Sequence, residues 1–443
     1  MIHGTLTVIT PIRPSELGRL RTALSKADTQ KHELFSRFPK LHFARWVVVD
    51  SAPGKQEPNT AEMYLVFAAD FCTEGKARKL AERFLAIFVR SVDAQTLDEI
   101  YGCCDGYPGA GTFEERGRYL LEHTHESSAR HVDFIYRAEQ PGTLKQALEL
   151  KKQLDQHLDQ LRRRGAPPSP EALRKQWAHH PALSAPKVTR DRRLARASAA
   201  RATFWQAPLA FAMDALMYLS HGLSTLTRRW KGPRPPARLP NVEPRFTDRQ
   251  VMPDGPAQNP MAHVAAFKPG IRRMLVARVL MWLVNWRMQR YLVGLNQVTS
   301  IHCARWVVFK SKNDEPRLLF LSNYDGSWDG YIDSFIDTLD VHYFLKLMWQ
   351  RTKGFQDTSS ETFKFWIRER LIPTPVFYNA YHPQRPSISD LHEAVRLRES
   401  LRPTGDVAEL NHYVRTGSCK PEEMMPSLRE SMRAVRALWP QLG

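Results

Sequence analysis

The sequence predicts an α+β chain in which one β-α-β-β-α-β unit occurs twice. Three observations lead there. LHFARWVVVD (41–50) returns as IHCARWVVFK (301–310), with six of the first eight positions identical. Each copy is followed by a polar connection and a second run of aromatic and β-branched residues, the pattern of a β-hairpin. Each hairpin is followed in turn by apolar residues at helical spacing.

The elements can be justified in chain order. GTLTVITPIRP and AHVAAFKPG read as first strands, and SELGRLRTALSKA and IRRMLVARVLMWLVNW as the helices after them. After the hairpin turns SAPGKQEPNT and SKNDEP come the third strands, EMYLVFAADF and RLLFLSNYDG. Leu80, Phe84, Leu85 and Phe88 form the helical stripe of the first copy, and Ile332, Phe335, Ile336 and Leu339 that of the second. A last strand and a trailing helix close each copy. VDFIYRAEQPGTLKQALELKKQL (132–154) matches VFYNAYHPQRPSISDLHEAVRLRESL (376–401) through Tyr136, Ala138, Pro141 and Tyr378, Ala380, Pro383.

This order is that of the ferredoxin-like unit, a four-stranded antiparallel sheet with helices on one face. Two open faces in one chain can cover each other. The arrangement resembles the dimeric α+β barrel superfamily over residues 1–155 and 258–400, and the resemblance implies two ferredoxin-like halves around a shared interior. The expected domains are a first unit at 1–160, a basic insert at 161–257, a second unit at 258–402 and a helical tail at 403–443.

The net charge of +18 is unevenly placed. Residues 161–240 hold 16 Lys and Arg against Glu171, Asp191 and Asp214, a local +13. Within this stretch TFWQAPLAFAMDALMYLSHGLSTLT is apolar, but Asp214, His221 and Gly222 interrupt it. That pattern suits a helix lying in a membrane interface with basic flanks on anionic headgroups, or one docked on the protein itself. Aromatic residues interleaved with the basic ones would favour nucleic acid, and only Trp177 and Trp230 sit that way. The N-terminal MIHGTLTVITPIRP has no basic region before an apolar run, and the five cysteines show no CxxC. The expected location is therefore the reducing cytoplasm, with peripheral attachment to a membrane through the insert.

The candidate chemistry sits on the repeated strand and just after its hairpin. Regular alternation puts His42 and Trp46 on one face and Arg45 on the other, and likewise His302 and Trp306 against Arg305. A bulge would be needed for His and Arg to share a face. An Arg among apolar neighbours requires an anion, because burying it unpaired is costly. Arg45 and Arg305 are thus candidates for binding a ligand carboxylate or a haem propionate, or for a structural ion pair in each half. His42 and His302 are candidates for proton transfer. No HxH, HxxxH or HExxH pairing falls on a predicted element.

NYDGSWDGYIDSF (323–335) carries Gly326, Asp329 and Gly330 in a GxxDG pattern. It is similar to the motif of dye-decolourising peroxidases, which are built from two ferredoxin-like units. That resemblance implies haem as cofactor and Asp329 as the distal acid–base group. Arg305 and His302 are the further catalytic candidates, and Arg45, His42, Trp306 and Tyr331 the ligand-binding candidates. The competing reading places Asp325, Asp329 and Asp333 at a helix start, where carboxylates favour the dipole. Three functions stay open at this point. They are a haem-dependent oxidoreductase acting on a lipophilic substrate, a non-catalytic lipid- or ligand-binding protein on a membrane surface, and a nucleic-acid-binding protein.

Overall fold

The computed structural model describes residues 2–49, 62–73, 80–165, 168–185, 255–270, 274–282, 285, 300–311, 315–337, 349–355 and 360–419. The apolar run of the basic insert, from 203, and the C-terminal amphipathic stretch from 420 lie outside them. The chain is a mixed α+β protein with two four-stranded antiparallel sheets.

The first half contributes β1 (Ile2–Ile12), α1 (Leu17–Ser36), β2 (Leu41–Val49), β3 (Met63–Thr73), α2 (Leu80–Ser91), α3 (Ala94–Tyr101), α4 (Phe113–Glu122), β4 (Ala129–Val132), α5 (Phe134–Ala138) and α6 (Pro141–Arg163). After α7 (Pro170–Trp177), the second half supplies β5 (Asn259–Ala266), α8 (274–282), β6 (Ile301–Lys310), β7 (Pro316–Tyr324) and α9 (Trp328–Asp337). It ends with α10 (Ser360–Arg368), β8 (Val376–Asn379), α11 (Ile388–Leu401) and α12 (Val407–Thr416).

The strand orders are β1-β3-β2-β8 and β4-β6-β7-β5. Each sheet therefore takes three strands from one half and its fourth from the other. Short segments ahead of the fourth strands reach the first strands. Ile9 N donates to His123 O at 2.9 Å and His125 N to Thr7 O at 2.8 Å. Val264 N donates to Arg370 O at 3.2 Å and Ile372 N to Ala262 O at 3.0 Å.

Alternation along the strands sorts the side chains into two layers. One face of each sheet joins a common aliphatic core, with Ile9, Val47, Val49, Val66 and Ala68 from one and Ala262, Val264, Val307, Leu319 and Leu321 from the other. The opposite faces carry the large aromatics under helices. Trp46 packs on Phe35 of α1, and Phe67 on Phe88 of α2. Trp306 and Phe320 join α8, α9 and α10 through Ala277, Met281, Tyr331, Phe363 and Trp366.

The compact units do not follow chain order. Both sheets fall in one unit, residues 1–142 and 188–388, while 143–187 and 389–443 make the second. In the second, α6, α7, α11 and α12 bury Leu150, Leu154, Leu158, Leu173, Leu397, Leu410 and Tyr413 against one another. Its start in the expected insert is an ordinary capped helix, with Ser169 accepting from Ala172 N. Among the described residues no helix is long and apolar enough to cross a membrane.

Leu319, fully buried between the sheets, provides a direct check on this layering. Leu319→Ala should cost about 2–5 kcal/mol in urea unfolding. Leu121→Ala on the outer surface of α4 should change stability by less than about 0.5 kcal/mol.

Candidate functional site

Both copies of the repeated strand carry a β-bulge at the histidine. Leu41 opposes Phe71 and Phe43 opposes Asp70, so His42 is an extra residue in β2. Ile301 opposes Tyr324 and Cys303 opposes Asn323, so His302 is the extra residue in β6. The bulge breaks the alternation. It turns each histidine toward the space between the sheets, into which the arginine three residues on also points.

The arginines cross that space in opposite directions. Arg305 Nη1 donates to Leu6 O at 2.7 Å and Thr7 Oγ1 at 3.3 Å, and Nη2 to Ala69 O at 3.2 Å. Arg305 also forms an ion pair with Asp70. Arg45 Nη1 donates to Met261 O and Ser322 O, each at 3.1 Å, and Nη2 to the side-chain oxygen of Asn323. The acceptors correspond by register, since Leu6 opposes Ala69 as Met261 opposes Ser322. Asp70 and Asn323 correspond as well, so one arginine meets a carboxylate and the other an amide. Desolvation is the main reason that the Arg45 guanidinium is lowered to about 10, and the phenyl ring of Phe377 covers it at 5.3 Å.

The histidines complete two hydrogen-bonded chains. Tyr381 lies 2.6 Å from His42 Nδ1, and Cys72 Sγ lies 3.0 Å from Nε2. Burial holds His42 well below its ordinary pKa and pushes the Cys72 thiol up to about 12, so both are neutral at pH 7. The Cys72 sulfur also lies 3.4 and 3.3 Å from the carbonyl oxygens of Tyr136 and Glu139.

In the other half Tyr136 lies 2.5 Å from His302 Nδ1, and Asp325 Oδ1 lies 2.5 Å from Nε2. The Asp325 carboxylate also accepts from Gln258 N at 3.0 Å and Ile388 N at 2.8 Å. Each tyrosine comes from the opposite half of the chain to its histidine. The tyrosine matching Tyr136 is Tyr381. Tyr378, to which the sequence pattern pairs it, stands opposite Ala44 on β8 and packs on Phe35.

The structure brings Arg45, Arg305, His42 and His302 into the inter-sheet region and leaves the other expected residues elsewhere. Trp306 is buried on the helix-covered face against Phe320. Tyr331 stacks on Tyr324 and lies 2.5 Å from Ser322 Oγ. The Asp329 side chain is 65% exposed, 3.7 Å from Lys364 Nζ. Of the three aspartates of NYDGSWDGYID, Asp325 is the one drawn inside. Asp70, Asn323, Cys72 and Tyr381, all part of these networks, carry no local sequence signal. Comparison with family models, with curated proteins and with solved structures finds no match to this chain.

The residues expected at a haem site do not fit a haem cradle. Both ring nitrogens of His302 are engaged, the Arg305 guanidinium is held by protein acceptors, and Asp329 lies in a solvent-facing ion pair. What the arrangement does is join two sheets with buried polar groups whose partners are other protein atoms.

Arg305→Met should therefore destabilise the fold by about 3–5 kcal/mol, the range for removing one partner of a buried pair. Equilibrium unfolding in urea measures this, and a change below about 1 kcal/mol would mean that Asp70 tolerates isolation.

Acid sensitivity should follow from the buried imidazoles. His3 and His42 are held well below 6.5, and His131 is lowered to about 4, chiefly by desolvation. The unfolded chain takes up protons near pH 6.5 that the folded chain refuses, so this stability is present above 6.5 and lost as pH falls. The urea midpoint should decline between about pH 6.5 and 4. His131→Gln should make that decline shallower.

Proposed function

We propose that the chain is a peripheral membrane protein that binds a lipophilic molecule without catalysis, carried on an α+β barrel of two ferredoxin-like units. For the fold, support comes from the matched bulges, the reciprocal arginines and the fourth strands exchanged between halves. The segments at 123–125 and 370–372 bond to β1 and β5, each at one edge of its sheet. Those two seams support a ring of strands closed as a barrel requires.

The observation that carries the functional reading is the outer face of α8. Leu275, Val276, Val279 and Trp282 are 62, 42, 48 and 59% exposed. Their spacing places them on one side of the helix, while Ala277 and Met281 on the other side are buried in the core. A contiguous exposed apolar stripe marks an interaction surface. One that ends in Trp suits the level of lipid headgroups, where an indole keeps its apolar body in the acyl region and its N–H near water. The +13 of residues 161–240 adds attraction to anionic lipid of about 1 kcal/mol per engaged basic residue.

The inter-sheet groups support a non-catalytic reading. A general acid or base must reach a substrate proton. His42, His302, Tyr136 and Tyr381 are all fully or almost fully buried, each bonded to another protein group.

The full chain should co-sediment with vesicles of three parts phosphatidylcholine to one part phosphatidylserine, and less with phosphatidylcholine alone. Leu275→Ser, Val279→Ser and Trp282→Ser combined should lower the apparent affinity by about tenfold or more, and added salt should weaken what remains. Unchanged pelleting of the triple variant would remove the α8 surface from the account. Tight binding of an oligonucleotide without vesicle binding would make nucleic acid the partner.

A further inference from the structure

We infer that the aromatic core on the helix-covered face of the β5–β6–β7 layer is a binding site for an apolar molecule bearing carbonyl oxygens. The inference names the ligand class of the protein proposed above. It rests on that reading for the lipophilic character alone.

His263 of β5 is fully buried, and neither of its ring nitrogens has a hydrogen-bond partner among the described residues. The Trp366 and Trp349 rings flank it, with centroids at 5.1 and 6.0 Å. The Nε1–H of each of these indoles is buried and has no hydrogen-bond partner among the described residues, and the same holds for Trp306 and Trp328. All four tryptophans belong to one core cluster with Phe320 and Phe363. Buried indole N–H groups ordinarily find an acceptor. A phenyl ring would pack in such places without stranding a donor, as Phe320 and Phe363 do beside them.

The chemistry of the unmet groups defines what they would take. Burial and then the charge of Arg370 lower His263 to about 3, so its ring is neutral and offers one donor and one acceptor. The indoles offer donors only. The cluster therefore has several donors for a single acceptor and suits a ligand rich in acceptors and poor in donors. Arg370 places its guanidinium 4.6 Å from the centre of the Trp366 ring and donates to Trp366 O and to Glu369. That cation is already engaged, so Arg370 does not call for an anionic ligand. Ketone, ester and quinone oxygens meet these conditions on an otherwise apolar body.

The same helix joins this cluster to the proposed lipid-facing surface. Ala277 and Met281 of α8 lie in the cluster, while Leu275, Val279 and Trp282 face outward. A molecule partitioned into lipid would meet the outer face of a helix whose inner face belongs to the same core cluster.

The test needs no vesicles, which separates it from the membrane reading. Full-length protein is titrated with acetophenone and with α-methylstyrene, which keeps the shape and replaces the carbonyl oxygen by CH2. Calorimetry gives the affinities, and indole ¹H–¹⁵N resonances, assigned with Trp→Phe variants, locate the contact. Acetophenone should bind about tenfold more tightly, as one or two added hydrogen bonds imply. It should move the Trp349 and Trp366 indole signals, which α-methylstyrene leaves in place. Trp366→Phe and Trp349→Phe keep an aromatic ring, and each should lower the preference with little change in Tm. His263→Phe provides a third variant. Equal binding of the two probes, binding of neither, or a preference that survives all three substitutions would overturn the inference. If the protein fails to bind vesicles yet discriminates the probes, the site stands and the membrane surface falls.

Discussion

The interior of the two-sheet unit depends on how two arginines are satisfied. Neither Arg45 nor Arg305 finds its acceptors in its own sheet. Each passes its guanidinium to the backbone carbonyls of the opposite one, at Met261 and Ser322 or at Leu6 and Ala69. An unmet guanidinium in an apolar interior is unfavourable by several kcal/mol, so either sheet is a poor structure without the other. The bulges at His42 and His302 belong to the same constraint. They bring imidazole and guanidinium to one face and let the tyrosines reach the histidines.

The correspondence is not complete, and its departures lie where charge is concerned. Asp70 stands where the other half has Asn323, and Cys72 where it has Asp325. Each half therefore keeps one carboxylate, at a different place. In the first it lies beside an arginine of the second. In the second it receives a histidine of its own half and two backbone N–H groups.

The paired strands, the hairpins and the helices after them were legible in the sequence, because hydrophobic periodicity and a repeated decapeptide are local signals. The same alternation placed Trp46 and Trp306 on the face opposite Arg45 and Arg305, as the structure has them. The bulge was not legible. Regular period-two spacing forbids His42 and Arg45 from sharing a face, and nothing in LHFARW marks the extra residue. The arginine acceptors were also hidden, since Asp70 and Asn323 lie more than 200 residues from the guanidinium they meet. GxxDG drew attention to Asp329, whereas the inward carboxylate is Asp325, four residues earlier at the end of the strand. The Tyr-x-Ala-x-x-Pro match aligned Tyr136 with Tyr378, because α5 and the turn after β8 advance the chain differently. The indoles that lack a partner among the described residues had no sequence signal either, since Trp306, Trp328, Trp349 and Trp366 meet only in three dimensions.

The central claim is that the inter-sheet arginines are structural and that the position of the carboxylate between them is exchangeable. Moving it tests this most directly. Asp70→Asn alone leaves Arg305 with carbonyl acceptors and should destabilise the protein by about 3–5 kcal/mol. Adding Asn323→Asp to that variant gives Arg45 the carboxylate that Arg305 has lost. The account predicts that urea unfolding of the double variant recovers at least half of the lost stability, a coupling that only residues in one network show. Simple addition of two losses would contradict it, and would mean that Asp70 serves something other than the arginine opposite.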